Sequence, residues 1–279
     1  MSKAYQAIER FSEDVDVTYD IHTIAPDLVS AADDGLPPSR SQADRWSKAI
    51  RGRLERWVAD EALSTVRKHL QNDRMTARVS AQKNKVTISY EPHEEGTGYV
   101  RPEVVLEFGA RSTGEPSETR SVTCDVATYL PEVSFPKAAP KVMRPERTFW
   151  EKATAIHVYC KGGGFRNADR FSRHWYDIVS LDTTGFVDSA VTNRLLAAYV
   201  ARHKSFFFRE HDGHGEVIDY EQVVSGGLLL VPTGAARDQL ALDYEGMVDD
   251  GLVLEQAPEF GALVAHCRVI QDRANNAAS

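Results

Sequence analysis

The spacing of apolar positions changes several times along the chain, and each change predicts a different element. Ala4, Tyr5, Ile8 and Phe11 recur at helical spacing and predict a short opening helix. Residues 13–21 (EDVDVTYDI) switch to period two, with Val15 and Val17 on one face of a strand and Asp14 and Asp16 on the other. Residues 25–40, rich in Pro, Asp, Ser and Gly, read as a loop. The longest helical stripe runs from Gln42 to Gln71 through Trp46, Ile50, Leu54, Trp57, Val58, Ala62, Val66 and Leu70. Alternation returns at 76–80 and 85–90, as in a hairpin, then in the apolar run 103–108 (EVVLEF). A further strand is predicted at 119–130, with Val122, Cys124 and Val126 on one face. Beyond the Pro-punctuated stretch 131–145, helical spacing dominates at 146–160, 168–181, 188–203, 234–247 and 258–273, with a loop region over 211–227. The pattern predicts an α/β lobe over residues 1–135 and a helical lobe over 136–279.

Composition narrows the class of molecule. Apolar residues make up 42% and charged residues 27% of 279 positions, which is ordinary for a folded domain and excludes a disordered chain. No window holds 18 uninterrupted apolar residues, so no membrane-spanning segment is predicted. The opening MSKAYQAIERFSED lacks the apolar stretch of a signal peptide. Cys124, Cys160 and Cys267 are far apart and form no CxxC pair, so the expected location is the reducing cytoplasm. The net charge of −8 argues against indiscriminate wrapping of nucleic acid. Between Lys141 and Arg173, however, eight basic residues face three acidic ones, a local balance of +5. That asymmetry favours an anionic partner for the start of the helical lobe.

Six groups of residues carry candidate chemistry. Asp14 and Asp16, at i and i+2 on a strand, project from one face and suit hard divalent cations, or else mark a solvated strand edge. Glu107 lies in a strand apolar enough to be covered on both faces, so it reads as a third metal ligand or as half of a buried salt bridge, for example to Arg111. Asp125 is the reserve ligand. Lys152 sits on a predicted helix whose other face carries Phe149, Ala153 and Ile156, with Arg144 and Arg147 in or before the first turn. It reads as a point charge for triphosphate oxygens or as the neighbour balance of Glu151. Arg170, Arg173 and Asp177 share a helical face as an ion-pair ladder. His157 reads as a packed or hydrogen-bonded histidine. The glycines of CKGGGFR (160–166) form either a phosphate cradle or a connector, without the Walker pattern. The three phenylalanines of HKSFFFR (203–209) either stack bases or, as the better reading, pack a helix end.

Taken in order, SKAYQAIERFSEDVDVTYD (2–20), PEVVLEFGARS (102–112), PERTFWEKATAIH (145–157), RFSRHWYDIVSL (170–181) and HKSFFFR (203–209) resemble the AbiEii/AbiGii toxin family of nucleotidyltransferases, which includes the MenT toxins. The resemblance implies an α+β fold, with a DNA polymerase β-like nucleotidyltransferase lobe built on a mixed sheet and a helical C-terminal lobe. It implies transfer of a nucleoside monophosphate from an NTP to RNA, expected at the 3′ end of tRNA, with Mg²⁺ or Mn²⁺ as cofactor. The implied partner is a cognate antitoxin encoded nearby, with no role for a membrane. Asp14 and Asp16 match the family's metal-binding acidic pair, with Glu107 as the third carboxylate. Lys152 matches the helical-lobe lysine near the triphosphate, helped by Arg147 and Arg173. Asp177 matches the aspartate of the RHxYD block, expected to orient Arg173 or the incoming hydroxyl. The family's Gly-Gly-Thr or Gly-Ser stretch precedes the Ser-Lys that here follows Met1, so the α/β lobe is expected to be N-terminally incomplete. The alternative is an inactive truncated relative that binds RNA or the antitoxin.

Overall fold

The computed structural model describes residues 1–12, 14–30, 32, 34–92, 101–164, 170–253 and 256–278. The chain forms two compact units, one of residues 12–114 and one of residues 1–11 with 115–279. The chain opens with one turn of helix, α1 (Ser2–Tyr5). This is shorter than the apolar spacing predicts, because Gln6 turns left-handed at φ 50° and ends the helix.

The 12–114 unit is a four-stranded sheet with a long helix. Strand β1 (Asp14–Thr18) leads through the short helices α2 (Ile21–Ile24) and α3 (Pro26–Val29) into α4 (Arg40–Trp57). A π-helical turn at Val58–Ala62 joins α4 to α5 (Leu63–Asn72), followed by β2 (Arg78–Gln82), β3 (Lys85–Ser89) and β4 (Glu103–Gly109). The strand order is β1-β4-β3-β2, with β1 parallel to β4 and the other two pairs antiparallel. Register sorts the sheet into two faces. Val15, Leu106 and Val86 are aligned, as are Val17 with Phe108 and Val104 with Ile88, so these side chains share the apolar face. Trp57 packs there, its ring 5.4 Å from Phe108 and 4.4 Å from Tyr19. Ala43, Trp46, Ile50, Leu54, Val58 and Ala62 form the buried stripe of the long helix. The stripe fades beyond the π turn, and no residue of α5 is buried. A π turn inserts one extra residue, which rotates Val66 and Leu70 off the line the periodicity predicts.

The other unit carries two small ladders and a helical bundle. Strands β5 (Ser117–Thr119) and β8 (Lys141–Met143) pair, and β6 (Val122–Thr123) pairs with β7 (Lys137–Ala138). The strand expected over 119–130 is thus two short pieces followed by a 3₁₀ turn at Asp125–Thr128. Both ladders belong to the helical unit, so the chain divides at 114/115 rather than at the expected 135/136. The physical reason is pairing: these strands hydrogen-bond to one another and add nothing to the four-stranded sheet. Residues 1–11 join the same unit, where the Phe11 N–H donates to the Leu252 carbonyl.

The bundle comprises α6 (Pro145–Gly162), α7 (Arg173–Thr183), α8 (Phe186–Thr192), α9 (Arg194–Phe207), α10 (Tyr220–Gln222), α11 (Gly234–Asp249) and α12 (Phe260–Asn276). A single helix expected over 188–203 is split at Asn193, whose side chain caps α9 by accepting from the Leu196 N–H. Phe149, Trp150, Ala153, Ile156, Trp175 and Ile178 are fully buried. Each large aromatic finds a partner for its polar atom: Trp150 Nε1 donates to Ala190 O at 3.0 Å, Trp175 Nε1 to Leu230 O at 2.8 Å, and the Tyr159 hydroxyl to Ala236 O at 2.8 Å. Among the described residues, no helix is long and apolar enough to cross a membrane.

Candidate active site

In the helical unit, α6 and α7 bring two of the predicted residues into one buried cluster. Asp177, with no exposed surface, accepts a bidentate pair from Arg10, Nε to Oδ1 at 2.6 Å and Nη2 to Oδ2 at 2.8 Å. Lys152 Nζ reaches the same Oδ2 at 2.7 Å and keeps 19% of its side chain exposed. The partner of Lys152 is therefore Asp177 and not its neighbour Glu151. Burial by itself would raise the Asp177 pKa, but Lys152 and Arg10 overrule it and hold the carboxyl well below its ordinary range.

The start of α7 is fixed from α11, where Asp243 accepts from the backbone N–H of Arg170 at 2.5 Å and of Ser172 at 2.7 Å. Arg173 Nε donates to the Arg170 carbonyl, and Tyr176 donates to Glu9 O at 3.1 Å. His174, one turn before Asp177, has a buried Nδ1 with no hydrogen-bond partner among the described residues. Burial, reinforced by Lys152, pushes its pKa down to about 3, so the ring is neutral.

Arg147, expected beside the triphosphate, has another job. It is wholly buried, donates to the Glu115 carbonyl, lies 3.5 Å from Glu151 and places its guanidinium over the Tyr199 ring. Glu151 also pairs with Lys204 at 2.7 Å. Burial opposes ionisation of Glu151, but Lys204, His203 and Arg147 hold its pKa below the ordinary value. Arg144 pairs with Glu146 at 2.7 Å. Part of the +5 balance is therefore spent inside the fold; Arg166 and Asp169, counted in it, lie outside the described residues.

Other sequence candidates resolve into structural roles. Gly163 takes φ 72° as the residue that ends α6, and Gly164 N–H returns to the Tyr159 carbonyl, so these glycines stop a helix. His157 accepts from the Leu229 N–H at 3.1 Å, with burial pushing its pKa to about 4. Phe207 is buried at the end of α9. Asp125 sits in the 3₁₀ turn, ion-paired with Lys3, and is not on the sheet.

In the 12–114 unit, the face opposite the apolar one is polar. Asp16 aligns with Glu107, and Asp14 with Val105, in the parallel β1–β4 register, so Asp14, Asp16 and Glu107 share this face. Lys85 aligns with Glu107 from the other side and pairs with it at 2.7 Å. The Glu107 side chain is 41% exposed, so the expected double covering of β4 is absent and the salt-bridge partner is Lys85 rather than Arg111. Ser12 Oγ donates to Asp14 Oδ1 at 3.3 Å.

Among the described residues, no three His, Cys, Asp or Glu side chains converge as a metal-binding group. The residues present nonetheless fit a hard divalent ion in part. Asp14 and Asp16 lie about 6.5 Å apart along the strand and offer only oxygen donors. Mg²⁺ is usually held by one or two such carboxylates with waters and substrate phosphates. Glu107, expected as the third carboxylate, stands opposite Asp16 on this face and pairs with Lys85.

Arg10 is the functional candidate that sequence reasoning missed. Its spacing placed it on a helix that ends at Tyr5; in the structure it stands in extended chain, bridged to Val253. The signal available was its place inside the SKAYQAIERFSEDVD block. No curated protein matches the chain. A family model described as nucleotidyl transferase AbiEii toxin, type IV toxin–antitoxin system, matches residues 1–266, almost the whole chain, and the chain accordingly belongs to the AbiEii family of nucleotidyl transferase toxins.

Proposed function

We propose that this chain transfers a nucleoside monophosphate from an NTP to the 3′-hydroxyl of an RNA, with tRNA as the acceptor class and Mg²⁺ or Mn²⁺ as cofactor, in the cytoplasm. The observation that carries the reading is the polar face of the sheet, where Asp14 and Asp16 stand two residues apart on β1 with no apolar packing to serve. Asp14 and Asp16 would hold the ion. When bound, it supplies charge stabilisation for the phosphates and the leaving group. Lys152 neutralises triphosphate oxygens as a compact cation, and Arg173 contributes a second positive charge. Asp177 holds Lys152 until nucleotide binds. The 3′-hydroxyl gives up its proton to solvent as its oxygen attacks the α-phosphorus in line; the new O–P bond forms, the bond from the α-phosphorus to the oxygen bridging to the β-phosphate breaks, and pyrophosphate leaves. An antitoxin encoded beside the chain completes the system as its regulatory partner. The test uses NTPs radiolabelled at the α-phosphate and bulk tRNA. Asp16→Ala abolishes label transfer while leaving the melting curve unchanged, because Asp16 is exposed. Equal labelling by the variant overturns the assignment.

A further inference from the structure

Two cations meet at Asp177 to make a trio of charges, and the two are not equivalent. Arg10 grips both carboxylate oxygens, and its side chain is 10% exposed. Lys152 touches one oxygen only, shares it with Arg10, and keeps 19% of its side chain in solvent. A planar guanidinium in bidentate contact is a rigid partner, whereas an ammonium on a four-carbon stem is a mobile one. Leaving a buried carboxylate with no cation is strongly unfavourable. Asp177 tolerates the departure of Lys152 because Arg10 remains, and it does not tolerate the loss of both.

We infer that Arg10 is a positioning residue that frees Lys152: by compensating Asp177 alone, it lets the lysine exchange its carboxylate for the phosphates of an incoming NTP. The inference rests on the reading of Lys152 as the triphosphate lysine and adds how that lysine becomes available. Without Arg10, Lys152 is the sole cation left from this trio and is held to Asp177. The fraction of molecules with a free ammonium falls, and apparent NTP affinity falls in proportion. Removing the carboxylate charge releases the lysine again.

The experiment measures dissociation constants for MgATP, MgCTP, MgGTP and MgUTP by equilibrium dialysis at physiological salt, on the full chain, with circular dichroism confirming each fold. The strongest-bound of the four is followed through the variants. Arg10→Met weakens binding by about tenfold or more. Arg10→Met with Asp177→Asn restores it to within about threefold, and Arg10→Lys, which keeps the compensating charge, stays within about threefold of the unsubstituted chain. In a Lys152→Met background, Asp177→Asn gives no gain. A double variant as weak as Arg10→Met, or a folded Arg10→Lys as weak as Arg10→Met, overturns the exchange while leaving Lys152 as a ligand. An equal gain from Asp177→Asn without Lys152 shows a mere net-charge effect and also overturns it. If Lys152→Met binds as tightly as the unsubstituted chain, the reading of Lys152 itself fails, and the exchange fails with it.

Discussion

Arg147→Leu separates a structural arginine from a substrate-binding one. The side chain has no exposed surface, and it donates to the Glu115 carbonyl, pairs with Glu151 and lies over Tyr199. Leucine restores part of the lost volume but none of these polar contacts. The Glu115 carbonyl loses a donor, and Glu151 keeps Lys204 on its other oxygen. With Lys204 still compensating Glu151, the main loss is the buried donor to the Glu115 carbonyl, about 1–3 kcal/mol. For a unit of this size, each kcal/mol moves the melting temperature by about 2–4 °C, so the expected fall is roughly 2–12 °C. Thermal melts and urea titrations at pH 7 read this directly. Below the melting range, the folded variant retains the unsubstituted dissociation constant for Mg-bound NTP, because a wholly buried guanidinium does not reach a ligand. An unchanged melting temperature together with a tenfold weaker NTP affinity would refute this argument and return Arg147 to the triphosphate.

Acid unfolding starts well above the usual carboxylate range. His157 and His174 are held neutral by burial, at about 4 and about 3, against an ordinary 6.5, so the unfolded chain takes up their protons first. Their contribution is full above pH 6.5 and is lost as pH falls towards the folded values, at up to about 1.4 kcal/mol per pH unit for each ring. Asp177 and Glu151, also depressed in the fold, add their loss below their ordinary values of 3.8 and 4.5. Urea midpoints measured from pH 7 to 5 should therefore decline, and His157→Gln should flatten the slope; a level profile down to pH 5 contradicts the burial of both rings. Thiol labelling gives a third check. Cys124 is exposed, burial pushes the Cys160 thiol up to about 12, and Cys267 is buried and raised as well. Iodoacetamide at pH 8 should modify the native chain at Cys124, with peptide mass spectrometry as the readout, and fast modification of Cys267 would show that the core around α12 opens.

What the sequence made legible follows from where each interaction lives. Strand β1, β3 and β4, α6, and the aromatic core of α6 and α7 depend on local periodicity, and their apolar spacing announced them. The split of α8 from α9 depends on one side chain, Asn193, taking a cap. The dispersal of residues 119–130 into ladder fragments depends on partners 14 and more residues away. Neither is visible in a window of hydropathy. Charge behaved in the same way. Counting cations from Lys141 to Arg173 treated each as available to a ligand. The fold instead commits Arg147 to Glu151 and Lys152 to Asp177, and a count cannot see partners drawn from residue 10 or residue 204. Asp14 and Asp16 were legible because period two alone puts both on one face. Lys152 and Asp177 were legible through the family blocks, since nothing in their spacing of 25 positions joins them. Arg10 was hidden for the opposite reason: it stood inside a recognised block, where apolar neighbours assigned it to a helix. A motif whose residues lie far apart in sequence, with one of them charged and unexplained by periodicity, is thus the place to look for a buried ionic partner, and in this chain that partner is Asp177.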